Sequence, residues 1–76
     1  MARWFKLTQD TDTIFINRDK VAVVKIRRVQ DEAQVNAWYV VEFIGQAETP
    51  LFDTSYANPG DAAQLVEEFL VGDEQY

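Results

Sequence analysis

Six side chains could do recognition chemistry together: Trp4, Lys6, Phe15, Lys25, Arg27 and Trp38. Each stands at an alternate position in a segment that switches between apolar and polar residues. In a strand, successive side chains point to opposite faces, so alternate positions share one. Aromatic rings interleaved with cations on a sheet suit a single-stranded nucleic acid, because cations track phosphates and bases stack on rings. The same set equally suits a protein partner, because aromatic anchors ringed by arginine are the usual composition of a binding hot spot. A purely structural account also fits. The rings would then form a homodimer interface or a second small core, with Lys25 and Arg27 pairing to Glu42 across strands. A net charge of −6 opposes general polyanion binding and favours the protein readings.

Other candidate chemistry is thin. The chain has no histidine and no cysteine, so neither a zinc site nor an activated serine or thiol can be built. Ser55 therefore lacks an imidazole to accept its proton. Asp10-x-Asp12 resembles the opening of a calcium loop but lacks the glycine and terminal glutamate that such a loop needs, and reads as a hairpin turn. Lys20 or Lys25 as a nucleophile would need deep burial, and both sit in polar company. Asn58-Pro59-Gly60-Asp61 opens a helix whose anion-attracting end Asp61 fills internally. The expectation is a chain that is not an enzyme and carries no cofactor and no metal.

Charge is distributed unevenly. All seven basic residues lie in the first 28 positions, and residues 31–76 hold ten carboxylates with no cation. Separated signs either make two electrostatically distinct surfaces or pair against each other within the fold. Asp31, Glu32, Glu48, Glu67, Glu68, Asp73 and Glu74 raise a third reading, in which carboxylates mimic phosphates and occupy a basic groove on a nucleic-acid-binding protein. Acidic groups on a helix face are usually only solvated.

These residues must be positioned by a small scaffold. Seventy-six residues make one domain, 1–76, with 73–76 as a frayed tail. Such a chain buries only about 60% of its unfolded surface, so packing or self-association must compensate. Residues 3–8 alternate as a strand; Gln9–Asp12 is a polar turn; Thr13–Asn17 returns as a second strand. Asn17–Lys20 breaks the pattern. Val21–Val29 and Ala37–Ile44 are strong strands separated by the polar loop Gln30–Asn36. Gly45–Glu48 turns the chain, and Pro50 marks Leu51–Ser55 as an edge strand. A helix spans about 59–71, with Asn58 as cap, Pro59 in the first turn and Gly72 as the stop. Its stripe is Ala62, Leu65, Val66, Phe69 and Leu70.

The fold class is therefore α+β: a curved antiparallel sheet of four to five strands with one C-terminal helix packed on one face. Phe5, Leu7, Ile14, Ile16, Ala22, Val24, Ile26, Tyr39, Val41 and Phe43 face the helix. The six candidate residues then share the opposite face. No apolar run approaches a membrane span, and the first residues lack the apolar stretch of a secretion signal, so the default placement is cytoplasmic.

Lys6-Leu7-Thr8, Ile14-Phe15-Ile16-Asn17 and the pair Val21 and Val24, followed by a second apolar strand and a C-terminal helix, resemble the small FlbD-like family of bacterial flagellar-associated proteins. The chain departs from that pattern in its longer Gln30–Asn36 loop, in lacking an Asn-Gly turn at Gly45, and in the additional segment Tyr56–Pro59. The resemblance implies a small accessory protein and transfers no site residue. The function expected is a non-catalytic binding or accessory module that self-associates or meets another protein; single-stranded nucleic-acid binding and acidic mimicry are the alternatives.

Overall fold

A computed structural model describes residues 3–33 and 35–72; the expected frayed tail at 73–76 lies outside them. The chain runs through strands β1 (Trp4–Gln9) and β2 (Asp12–Asn17), a 3-10 turn at Arg18–Lys20, then β3 (Val23–Gln30) and β4 (Ala37–Ile44), a tight turn, β5 (Pro50–Tyr56) and helix α1 (Pro59–Val71). The class is α+β with antiparallel pairing throughout, as the alternation predicts.

The expected single sheet is corrected to two. β1 and β2 form a hairpin of their own, and β3-β4-β5 form a separate three-stranded sheet. The break falls at Arg18–Ala22. A 3-10 turn with Asn17 as its side-chain cap, followed by extended Val21, carries the chain out of the hairpin plane before β3 begins. For the same reason β3 starts at Val23 rather than Val21. The two sheets do not close on one another: Ile14 and Phe15 of β2 face Leu51 and Phe52 of β5 across an open apolar groove, not a ladder.

One core joins the two sheets. Phe5, Leu7 and Ile16 of the hairpin, Val41 and Phe43 of β4, and Ala62, Leu65 and Phe69 of α1 are all buried, with Val41 and Phe43 fully so. Phe69 sits at the junction. Its ring meets Phe5 edge-on at 5.4 Å and Phe43 at 5.0 Å. Such pairs contribute ~0.5–1.5 kcal/mol beyond their buried area, and truncating Phe69 to alanine costs ~3–5 kcal/mol.

The helix begins as its sequence dictates. The Asn58 side chain accepts from the Gly60 amide at 2.7 Å, Pro59 stands in the first turn, and Asp61 adds a carboxylate there. Gly72 ends it, but through extended backbone (φ −66°) rather than a left-handed residue. Glycine is needed there because a Cβ would collide with the Glu68 carbonyl. Leu70, expected in the apolar stripe, is exposed, and Val66 is half-buried.

Two inward assignments change because α1 lies against β4 and β5 and reaches β3 least. Ile26 remains 42% exposed, and Ala22 is exposed outside any strand. In compensation, Phe52, Thr54 and Tyr56 of β5 turn inward opposite Phe43, Val41 and Tyr39. Burial pushes the Tyr56 phenol above its ordinary range; a Thr54 hydrogen bond opposes this, and the charges of Asp61 and Glu68 reinforce it.

Candidate interaction surface

The six candidate residues divide between the outer faces of the two sheets. On the hairpin, Lys6 stands directly across from Phe15, with Trp4 two residues along on the same face. All three are exposed, Trp4 to 39% and Phe15 to 50%. On the three-stranded sheet, Lys25 and Arg27 alternate along β3, and Trp38 lies opposite Val29 on β4. No ladder links the two triads. The sequence pattern found each face but could not show that the chain breaks between them.

The outer face of the three-stranded sheet has the more developed chemistry. Its register aligns Val23, Lys25, Arg27 and Val29 with Ile44, Glu42, Val40 and Trp38. On the far side, Ser55 and Asp53 stand opposite Val40 and Glu42. Arg27 Nε donates to Glu42 Oε1 at 2.7 Å, a diagonal pair between neighbouring strands. That hydrogen bond holds the Glu42 carboxyl below its ordinary range; desolvation opposes it, and the charges of Lys25 and Arg27 add to it. Val40, expected on the outward side, is only 8% exposed. Arg27 stands directly opposite Val40, and its bond to Glu42 holds it along the same face; long basic side chains cover apolar surface in this way. Trp38, Val29 and Ile44 are half-buried around it.

Much of the basic charge serves the chain itself. Arg3 pairs with Asp19 at 3.0 Å. Arg18 donates to the Gly72 carbonyl at 3.1 Å and the Glu68 carbonyl at 3.4 Å. Its guanidinium lies 5.5 Å from the Phe5 ring centre and 5.6 Å from that of Phe69. Sequence reasoning treated Arg18 only as part of a polar break. Its carbonyl partners lie 50 and 54 positions away, so no local signal marks it.

The remaining candidates are structural in character. Gln9 and Asp12 pair across a two-residue hairpin loop, Asp10-Thr11, with Asp10 at φ 54°. Asp31 organises the β3–β4 loop: its carboxylate accepts from the amides of Val35 at 3.0 Å and Asn36 at 3.3 Å, and from the Asn36 side chain at 3.1 Å. Lys20 borders the groove beside Leu51. Glu67 and Glu68 are exposed on α1. Among the described residues, no helix is long and apolar enough to cross a membrane.

The fold and its surface define a small antiparallel α+β domain with one helix-covered and one open sheet face. No known family model, characterised protein or solved structure matches the chain. The FlbD-like resemblance thus rests on the strand residues alone.

Proposed function

We propose that this chain is a non-catalytic interaction module that self-associates through the outer face of its three-stranded sheet. The observation that carries the reading is the strip Val23, Val29, Trp38 and Ile44 around the buried Val40, set between charged groups on a face that, among the described residues, has no second layer. One helix covers the other face only. The strip also carries both signs, Lys25 and Arg27 on the β3 side and Asp53 on the β5 side. A two-fold arrangement of two copies lays the basic side of each over the acidic side of the other, which is what a self-complementary interface requires. Trp4, Lys6 and Phe15 extend the contact surface onto the hairpin.

Nucleic-acid binding through the same face is the weaker reading. Arg27 is engaged with Glu42, and acidic groups stand among the cations that would track phosphates. Mimicry by the helix carboxylates has no specific observation in its favour. Titrating a labelled oligonucleotide at two salt concentrations, beside sedimentation of the protein alone, separates these readings. Self-association that holds as salt rises, with no oligonucleotide bound, supports the module. A monomer that binds the oligonucleotide steeply more weakly at higher salt overturns it.

A further inference from the structure

The open edge of β3 is a second surface, independent of the sheet face. Among the described residues β3 pairs only with β4 and stands at the margin of its sheet. It is also the strand left barest. Val23 is 50% exposed and Ile26 42%, and Lys25, Arg27, Arg28 and Gln30 are exposed as well. A sheet margin presents unpaired backbone donors and acceptors along its length, a template for another strand.

The side chains on this edge say which strand. β3 reads VVKIRRVQ, with three cations and no carboxylate. A second copy of β3 is a poor occupant. In antiparallel pairing centred between Ile26 and Arg27, Lys25 falls opposite Arg28. Shifting by one position in either direction sets Arg27 against itself or Lys25 against Arg27. Like charges directly opposite are destabilising. Lys25 and Arg27 share one face, and Val24, Ile26 and Arg28 the other. A complementary strand therefore alternates acidic and aliphatic residues. Its acidic groups belong at Lys25–Arg28, because Asp31 and Glu32 follow β3 and repel carboxylates beyond Gln30.

We propose that the β3 edge takes an extended acidic–aliphatic segment of another protein as an added strand. Main-chain hydrogen bonds supply affinity and the alternating side chains supply selectivity. The chain's net charge of −6 does not prevent this. At physiological ionic strength charges more than ~8 Å apart are largely screened, so the segment is governed by Lys25 and Arg28 beside it and by Arg27, whose charge Glu42 partly offsets.

The test uses an acetylated, amidated peptide alternating glutamate and valine, matched in length to β3. Controls are the same peptide with lysine for glutamate and one interrupted by proline, which cannot extend a ladder. Binding by fluorescence anisotropy should favour the glutamate peptide by about tenfold or more over both controls. Amide exchange within β3 should slow when it binds. The double variant Lys25→Gln, Arg28→Gln places no carboxylate opposite Glu42, leaves the Arg27–Glu42 pair in place and should remove most of the preference for the glutamate peptide. Equal binding of the proline peptide, unchanged exchange in β3, or unaltered preference in the double variant overturns the proposal. Sedimentation of the peptide-free protein keeps the two surfaces distinct. A monomer that binds the peptide supports the edge and removes self-association through the face; a dimer that ignores the peptide removes the edge alone.

Discussion

Arg18 Nη1 donates to the Gly72 carbonyl at 3.1 Å, tying the turn after the first hairpin to the last residue of the helix cap. The same guanidinium lies over both the Phe5 and Phe69 rings, 5.5 and 5.6 Å from their centres. A single side chain thus joins hairpin, core and helix terminus. A cation at the carbonyl end of a helix is favourable because backbone dipoles concentrate negative charge there, and a cation over a ring adds to that. Arg18→Ala should lower stability by about 2 kcal/mol in urea unfolding. Arg18→Lys should recover only part, because an ammonium cannot present the planar fork. An unchanged urea midpoint in Arg18→Ala would show that the helix end needs no such tie.

The turn between β4 and β5 stores backbone strain. Ala47 (φ 58°, ψ 32°) and Glu48 (φ 59°) both occupy the left-handed region, where a Cβ is penalised. Residues suited to a type I′ turn relieve this. The double substitution Ala47→Asn, Glu48→Gly should raise stability by about 1 kcal/mol or more, read as an increase in urea midpoint with an unchanged slope. A lower midpoint would contradict the strain.

Asp31 braces the β3–β4 loop through three accepted hydrogen bonds. Asp31→Ala should cost about 1–2 kcal/mol and speed amide exchange at Val35 and Asn36 specifically. Exchange at those two amides equal to wild type would remove the brace from the account.

The Arg27–Glu42 pair gives a pH signature. Glu42 has a lowered folded-state pKa, chiefly through the hydrogen bond from Arg27. Its contribution to stability is therefore present above the unfolded glutamate pKa and is lost as pH falls through the lowered folded value. Carboxyl NMR titration should find Glu42 below an ordinary glutamate, and Arg27→Ala should move it upward. No movement in the variant would assign the shift to something other than Arg27.

Much of this architecture is legible in the sequence because it is encoded locally. Asn58-Pro59 and the Ala62, Leu65, Phe69 spacing define α1 to the residue, and alternation finds all five strands. What is not legible depends on distant partners. Arg18 looks like any residue in a polar turn until the helix end arrives beside it. The separation into two sheets depends on the direction of the chain through Arg18–Ala22, which strand patterning does not encode. Ile26 and Val40 exchange their expected exposures because α1 settles over β4 and β5, while Arg27 and Glu42 close over the other side of β4. The candidate residues were legible as a pattern of types, but their grouping as Trp4, Lys6 and Phe15 on one sheet and Lys25, Arg27 and Trp38 on another was not.

The central claim is that the outer face of β3-β4-β5 joins copies of this chain, and sedimentation equilibrium over a hundredfold concentration range tests it most directly. The account predicts dimer at micromolar concentration, with Trp38→Ala weakening association by about 2 kcal/mol, or roughly thirtyfold, because its ring is the largest apolar group of the strip. The 8.8 kDa monomer mass at every concentration, in wild type and Trp38→Ala alike, would contradict it.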